Sequence, residues 1–282
     1  MNEIFTIGEF CFRLVCPDAV TVPANFMKFR GGSQSAYTYT IEVSADFPAP
    51  EGRVLARRED ILVLDRDGLE WRYIGVKGQQ TPYACYMEES DREARILLSP
   101  RRLGSVQIDP VFTSLLALER RQMDRSGLIL HCAYMDHGGE AILFSAPSGT
   151  GKSTQADLWA RYRGTATVNG DRALLQKIGA VWYARGWPVC GSSGICENRD
   201  LPIRAIVMLS QAPEDRARRL MPMQAFTGLY SQITVNRWNR SSHLHAMELA
   251  EDLIASVPVY HLACTMNESA VTALEAALDE RR

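Results

Sequence analysis

A run of small residues followed by lysine and serine carries the clearest chemistry in this sequence. The run is Ser145–Thr154 and reads Ser-Ala-Pro-Ser-Gly-Thr-Gly-Lys-Ser-Thr. Gly149 and Gly151 allow backbone conformations that side chains disfavour, so successive N–H groups can point at phosphate oxygens. Lys152 supplies a positive charge for the β- and γ-phosphates, and the Ser153 hydroxyl suits Mg²⁺. The pattern therefore predicts a site for ATP or another nucleoside triphosphate, together with Mg²⁺.

The run matches the phosphate-loop (Walker A) pattern of Gly, four residues, Gly-Lys and then Ser or Thr, except that Ala146 stands at the first glycine. A small residue still fits there. An apolar strand is expected at Glu140–Ser145 and a helix at Thr154–Tyr162, which is the order that the motif requires. The alternative is a Gly/Ser-rich turn that happens to contain lysine. The predicted nucleotide contacts are Ala146, Pro147, Ser148, Gly149, Thr150, Gly151, Lys152, Ser153 and Thr154.

An acidic residue follows the next predicted strand, Thr165–Val168. Asp171 lies in Asn-Gly-Asp-Arg, at the strand end that should reach the same edge of the sheet as the loop. Phosphoryl transfer needs a carboxylate to receive the proton of the attacking hydroxyl. Asp171 is either that group or an ordinary turn aspartate after Gly170. His131, on the strand predicted at Leu128–Met135, is either functional or a satisfied strand histidine.

Taken together, these motifs resemble the HPr kinase/phosphorylase superfamily, which is related to the ATP-dependent phosphoenolpyruvate carboxykinases. The resemblance rests on His131, on Ser-Gly-Thr-Gly-Lys-Ser at 148–153 and on Gly-Asp-Arg at 170–172. Members of that group carry a histidine on the strand before the loop, a short Ser-Gly-x-Gly-Lys-Ser loop and an Asp-Asp pair followed by Arg. The resemblance covers about residues 127 to 282 and looks closest to the shorter HPr-kinase-like proteins of bacteria.

The resemblance implies roles for four residues. Lys152 would contact the phosphates, and Ser153 would bind Mg²⁺. Asp171 would be the general base toward the acceptor hydroxyl and a metal ligand. His131 would be the active-site histidine that supports Asp171.

Further roles are implied less directly. Glu197 would match a metal-binding glutamate, and Arg237 or Arg240 would supply a cation that stabilises the transferred charge. Gly170 stands where the resembling family has the first aspartate of its pair. One carboxylate beside the loop is therefore missing, and the reverse phosphorylase reaction is not an expectation. A homo-oligomer is implied by the resemblance alone.

The order of the elements predicts two domains. Period-two alternation and turn signals, among them a hairpin turn predicted at Asp67-Gly68, indicate a small, mostly β domain over residues 1–108. Strands interleaved with helices then indicate an α/β domain with a mixed sheet over residues 109–282, of the HPr kinase-like kind that the resemblance implies. One helical pattern runs from Pro110 toward Gly127, and a closing helix at Glu268–Glu280 is expected to be capped by the side chain of Asn267.

Two stretches have open interpretations. Cys190–Cys196 is a small-residue loop that is either a plain connection or a cover over the acceptor or metal site. Arg216, Arg218 and Arg219 are either a basic patch or a solvated helix face or loop, and we favour the second interpretation.

Composition excludes several classes of protein. Lys and Arg number 31 and Asp and Glu 33, for a formal net charge of −2, so no nucleic-acid partner is expected. Seven cysteines without a Cys-x-x-Cys pair make a zinc site unexpected and fit a reducing compartment. The first residues lack the character of a signal peptide, and no apolar run has the length of a membrane span. We therefore expect a cytoplasmic protein that is not bound to membranes.

Three functions follow from this pattern. The leading prediction is a Mg²⁺-dependent kinase that transfers the γ-phosphoryl group of ATP to a serine-type hydroxyl of a protein or peptide. The second is a kinase of the same architecture that acts on a small molecule. The third is a nucleotide-gated binding module without catalysis, to which Gly170 lends weight.

Overall fold

The computed structural model describes residues 1–79 and 81–280, and the chain divides into two compact units. The first unit contains Met1–Arg121 and the short return segment Asn236–Arg240. The second contains Gln122–Val235 and the chain from Ser241 onward. This division lies after Arg121, whereas the domain boundary expected from the sequence lies between residues 108 and 109.

The first unit is mostly β, as expected. Its strands pair in the order β1-β2-β3-β8-β7-β6-β5-β4. They are β1 (Asn2–Ile7), β2 (Phe10–Val15), β3 (Tyr37–Val43), β4 (Arg53–Arg57), β5 (Ile61–Arg66), β6 (Leu69–Ile74), β7 (Ala84–Glu88) and β8 (Glu93–Leu98). The helices are α1 (Ala24–Met27), α2 (Asp109–Leu115) and α3 (Leu118–Met123), with a 3-10 helix at Pro100–Gln107.

Two local predictions in this region had different outcomes. The Asp67-Gly68 hairpin is confirmed, since β5 and β6 pair antiparallel and both turn residues have positive φ, 56° and 88°. The prediction of a single helix after Pro110 was wrong. It breaks into α2 and α3 at Ala117, whose φ is +49°, a conformation that ends a right-handed helix.

The first unit contains a buried network of charged side chains. Arg121 donates to the carboxylate of Glu88 and to the hydroxyls of Tyr37 and Tyr86, at 2.8 and 3.0 Å for the two tyrosines. Burial raises the pKa of Glu88, but Arg121 and Arg120 oppose it more strongly, so this pKa lies below its usual value. Each buried charge of this network is stabilised by groups of the opposite charge, so removing one partner would leave the other buried and unpaired.

We expect Arg121→Ala to destabilise the first unit by about 3 to 5 kcal/mol, because Glu88 would stay buried with less compensation. Urea denaturation followed by circular dichroism measures this change. The control is Arg92→Ala, whose ion pair with Asp91 is long, at 3.9 Å, and largely exposed; it should shift stability by less than about 0.5 kcal/mol. Equal effects of the two substitutions would contradict the assigned role of the network.

The second unit is α/β with a mixed sheet, as expected. Its strands are β9 (Leu128–His137), β10 (Glu140–Ser145), β11 (Ala166–Asn169), β12 (Arg172–Ile178), β13 (Val181–Arg185), β14 (Leu201–Gln211), β15 (Arg216–Arg219), β16 (Ile233–Thr234) and β17 (Val259–Cys264). Its helices are α4 (Lys152–Arg163), α5 (Pro222–Tyr230), α6 (Arg240–Ser256) and α7 (Glu268–Asp279).

The central strands of this unit run together toward one edge. Strand β10 pairs parallel with β14, and β14 pairs parallel with β17. On its other side β10 pairs antiparallel with β9, which also pairs with β11 and β12. Helix α4 packs on this sheet through Ala156 and Trp159, both fully buried. The carboxyl ends of β10, β14 and β17 therefore share an edge, where ligands bind in α/β sheets.

Two further expectations need correction. Arg216, Arg218 and Arg219 are not a helix face or a loop, because they lie on β15, which pairs antiparallel with β17. Asn267 occupies the N-cap position of α7, but its side chain makes no cap hydrogen bond. Within residues 1–79 and 81–280, no helix is both long enough and apolar enough to cross a bilayer.

Candidate functional site

The Gly-rich loop lies between β10 and α4. Strand β10 ends at Ser145 and α4 begins at Lys152, so the loop occupies 146–151. Gly149 and Gly151 have φ of +79° and +116°, and a Cβ at either position would meet nothing within 4 Å among the described atoms. Space is therefore available, and backbone conformation is what requires glycine at both positions. The first N–H groups of α4 have no partner inside the helix, and they form the positive end of the helix dipole.

Lys152 is buried, and its ammonium group folds back over the loop. Its Nζ donates to the carbonyls of Ala146 at 3.1 Å and Pro147 at 3.4 Å. Burial lowers the pKa of Lys152, and the nearby charge of Asp171 partly opposes this change. A buried ammonium whose hydrogen bonds go to neutral carbonyls gains from an anionic partner, because charge-assisted hydrogen bonds are stronger.

Asp171 lies between two basic side chains. Its Oδ1 is 3.4 Å from His131 Nε2, and its Oδ2 accepts from Arg172 Nε at 3.1 Å. The pKa of Asp171 is lowered, mainly by the contact with His131, while burial opposes this and the charge of Arg172 adds to it. The carboxylate is therefore ionised well below neutral pH.

The backbone connects this carboxylate directly to the start of the loop. The Ser145 hydroxyl donates to the carbonyl of His131 at 2.9 Å. The amide of Cys132 donates to the carbonyl of Asp171 at 2.9 Å. Strand β9 thus carries His131 to the end of β10 on one side and to Asp171 on the other.

Asn169 is a site residue that the sequence analysis missed. It is fully buried, and its Oδ1 accepts from the amides of Asp171 and Arg172 at 2.9 and 3.0 Å. Its Nδ2 donates to the carbonyls of Trp187 and Val189 at 2.8 and 3.1 Å. One amide therefore fixes the turn that carries Asp171 and the segment that leads to the next loop. The signal in the sequence is Asn-Gly at 169–170, since Asn side chains bond their own backbone two residues on.

The Cys190–Cys196 loop covers the turn at Gly170. A Cβ at Gly170 would lie 2.1 Å from Ser193 Oγ and 2.4 Å from Ser193 Cβ. The Ser193 hydroxyl donates to the carbonyl of Cys190 at 2.7 Å, which holds it there. A Cβ at Gly191 would lie 3.1 Å from the side chain of Asp171. With the loop in this position, Ser193 leaves no room for a side chain at residue 170.

The predicted metal ligands are only partly brought together. Ser153 is exposed at the start of α4, and the charge of Asp171 acts on the pKa of Lys152, the residue before Ser153. Glu197 is exposed, and its amide donates to the carbonyl of Val168 at 2.9 Å. Among the residues that the structure describes, no group of three or more His, Cys, Asp and Glu side chains forms a metal site. Mg²⁺ needs few protein ligands when phosphates supply the others.

Arg237 and Arg240 lie in the return segment Asn236–Arg240, which belongs to the first unit. Trp238 in this segment donates to Glu70 at 3.1 Å, and Asn236 donates to Glu119 at 3.1 Å. Both arginines are exposed. Their predicted role toward transferred charge stays a prediction.

The fold and the site define an α/β protein with a strand, a Gly-rich loop and a helix that begins at lysine, next to a His–Asp pair. The family model described as SynChlorMet cassette protein ScmC matches residues 100–279. This is more than half of the chain, and the chain belongs to that family. No match was found among curated proteins.

Among solved structures, the chain is similar to the Hpr(Ser) kinase/phosphatase from Coxiella burnetii. The two chains are 12% identical, the TM-score is 0.34, and the match covers 55% of this chain and 90% of the other. This similarity is too distant to establish a shared activity.

We expect Gly170→Ala to lower the thermal stability of the second unit, because the new Cβ would overlap Ser193. The double variant Gly170→Ala/Ser193→Gly should recover most of the loss, and Ser193→Gly alone is the control. Melting temperatures by differential scanning fluorimetry measure the coupling. If the double variant melts no higher than Gly170→Ala, the loop does not set the size limit at position 170.

We expect His131→Ala to raise the pKa of Asp171, because the contact with His131 is its largest influence. The lowered pKa stabilises the fold above the pKa of the unfolded chain, and this stabilisation is lost as pH falls through the folded value. In His131→Ala the stabilisation should be smaller, and its loss on acidification should be complete at a higher pH. Carbon-13 NMR titration of the Asp171 carboxyl measures the change, with Asp157, exposed on α4, as the internal reference. An unchanged titration of Asp171 would remove His131 from this role.

Proposed function

We propose that this chain is a kinase that transfers the γ-phosphoryl group of ATP, or of another nucleoside triphosphate, to a serine-type hydroxyl of a protein or peptide. The observation that carries the proposal is the connection between the Gly-rich loop and Asp171. Ser145, the last residue before the loop, bonds to His131, and His131 contacts Asp171. A phosphate-binding loop and an ionised carboxylate are the two parts that hydroxyl phosphorylation needs.

The loop and helix start fit the triphosphate. Gly149 and Gly151 leave room for backbone N–H groups to approach phosphate oxygens, and the first turn of α4 adds unpaired donors. Lys152 exchanges two neutral carbonyl partners for the β- and γ-phosphates. Mg²⁺, held by the phosphates and the Ser153 hydroxyl, would neutralise further charge.

In the transfer step, the acceptor oxygen forms a bond to the γ-phosphorus while the bond to the β–γ bridging oxygen breaks. The electron pair of the broken bond stays on the nucleoside diphosphate. The hydroxyl proton passes to an Oδ atom of Asp171. The low pKa of Asp171 makes it a weak base, which suits a loose transition state in which the proton is transferred late.

One observation favours a second candidate, a nucleotide-gated binding module. The resembling family has a second carboxylate where this chain has Gly170, and Ser193 fills the space that its side chain would need. In this case the nucleotide would bind without transfer. We rank the kinase first because Asp171 is ionised and is positioned by three other residues. Nucleotide binding alone does not require a carboxylate held in this way.

The two candidates are separated by Lys152→Ala and Asp171→Asn. We expect Lys152→Ala to weaken binding of a fluorescent ATP analogue at least tenfold, roughly the loss of one charge-assisted contact. Asp171→Asn should bind the analogue normally but lose about 100-fold in phosphoryl transfer. Transfer is measured with ATP labelled at the γ-phosphate. The family description calls ScmC a cassette protein, so peptides and proteins encoded beside this chain's gene are the first acceptors, followed by free metabolites.

Matched controls are Lys177→Ala and Asp157→Asn, an exposed lysine and an exposed aspartate of the same unit. Both should retain binding and transfer. Full transfer by Asp171→Asn would disprove the assignment of the base. Tight nucleotide binding by the wild type, with neither transfer to any acceptor nor hydrolysis, would favour the binding module.

A further inference from the structure

Strand β15 lies at an open edge of the second unit's sheet. Among the described residues, it pairs only with β17. Just after the strand, Leu220 N donates to the carbonyl of Val259 at 2.8 Å. Backbone groups in an antiparallel pair alternate, so those of Arg216 and Arg218 face β17 and those of Ala217 and Arg219 face outward. An extended peptide has free N–H and C=O groups to pair with there.

The open strand is strongly basic. Arg216, Arg218 and Arg219 are all exposed. Arg218 donates to Gln224 on α5 at 3.2 Å. In the described part of the chain, no carboxylate forms an ion pair with any of the three. Their cross-strand neighbours on β17 carry no acidic side chain either.

An apolar pocket adjoins the end of the strand. It has a volume of about 340 Å³ and is lined by Arg219 and by six apolar residues, Leu220, Met221, Pro222, Ala225, Ile254 and Val259. Met221 and Met223 are among the most exposed large apolar side chains of this unit, at 68% and 77%. Methionine is adaptable and is common at surfaces that bind peptides. The strand and the pocket together are here called the docking edge.

We propose that the docking edge binds an extended peptide that pairs with β15 and carries acidic side chains at alternate positions, followed by an apolar side chain. The acidic side chains would lie beside Arg216 and Arg218, which share one face of the strand. The apolar side chain would lie beside Leu220, in the pocket. Backbone pairing supplies affinity, and the alternate side chains supply specificity.

Charge argues against a second copy of this chain as the occupant. Pairing two β15 strands edge to edge would bring the arginines of both copies together, and like charges opposite each other destabilise a sheet. A polyanion such as nucleic acid would use the arginines but neither the outward backbone groups nor the apolar pocket. A peptide uses all three features.

The docking edge also bears on the proposed kinase, and this step rests on that function. Strands β10, β14 and β17 run parallel and β15 runs against them, so Arg216 lies at the edge of the sheet where the Gly-rich loop begins. Three strand spacings separate β15 from β10, and a peptide paired on the far side of β15 adds a fourth, which gives about 19 Å in all. A docked acceptor would therefore carry its hydroxyl roughly six residues or more from the paired segment, at about 3.3 Å per residue.

The test is selection of random peptides displayed on phage against the immobilised full chain, without nucleotide. We expect enrichment of peptides with acidic residues at alternate positions and an apolar residue beyond them. A fluorescein-labelled copy of the most enriched peptide should bind at least tenfold more weakly to Arg216→Glu/Arg218→Glu and to Ala217→Pro. Proline removes the outward N–H without touching the ladder to β17. Thermal unfolding checks that each variant is folded.

The matched control is Arg57→Glu, an exposed arginine on edge strand β4 of the first unit. It should bind the peptide like the wild type. The proposal is overturned if no acidic peptide is enriched, if both docking-edge variants bind normally, or if heparin binds in place of peptides and with the same dependence on the arginines. The first result would mean that the arginines only protect an edge strand from aggregation.

This test is independent of the kinase assay. Peptide binding without phosphoryl transfer would support the docking edge and count against the kinase. If both docking-edge variants transfer phosphate to a peptide with the KM of the wild type, the kinase proposal stands and the docking-edge proposal is contradicted. If both proposals hold, the docking-edge variants should raise KM for the peptide acceptor and leave kcat unchanged.

Discussion

The four hydrogen bonds of the Asn169 side chain are the constraint on which the candidate site depends. A buried amide left without partners costs free energy, so the amides of Asp171 and Arg172 and the carbonyls of Trp187 and Val189 must all stay in place. This positions Asp171 relative to β9 and fixes where the Cys190–Cys196 loop begins. The loop then places Ser193 over Gly170. One buried side chain therefore determines both the location of the carboxylate and the size limit beside it.

The sheet extends this constraint to the phosphate-binding end. Strand β9 lies between β10 and the turn that carries Asp171. His131 on β9 therefore contacts Ser145 of β10 on one side and Asp171 on the other. At the loop, the hydrogen-bond partners of Lys152 are two neutral carbonyls, at 3.1 and 3.4 Å. In the proposed reaction, phosphates would replace these carbonyls and the acceptor would meet a carboxylate that is already held in place.

The sequence predicted those elements whose signals are local. Strand β10, the Gly-rich loop and α4 follow from an apolar run, glycines that need positive φ and a helix-forming stretch. The docking edge was not predicted, because the four residues of β15 are rich in arginine and indicate a helix face or a loop. Only their pairing with β17 shows that they form a strand. The break at Ala117 was missed because apolar spacing continues across it. Asn169 was missed because two of its four partners, the carbonyls of Trp187 and Val189, lie 18 and 20 residues away, and its burial is not visible in the sequence. Roles for Glu197, Arg237 and Arg240 came from resemblance alone, and they remain predictions.

The pKa of Asp171 bears on the proton transfer in the proposed reaction. Two carboxylates side by side would raise the pKa of one of them, and a proton would be retained near neutral pH. Here Gly170 removes the second carboxylate, while His131 and Arg172 lower the pKa of the one that remains. In the proposed reaction, the forward step needs an ionised base. The reverse step needs the same carboxyl to return a proton to the serine oxygen. Because the ionised form predominates at neutral pH, Asp171 would be ready to accept the hydroxyl proton in the proposed forward step, while the balance between the two directions is set by the reactants and not by this carboxylate.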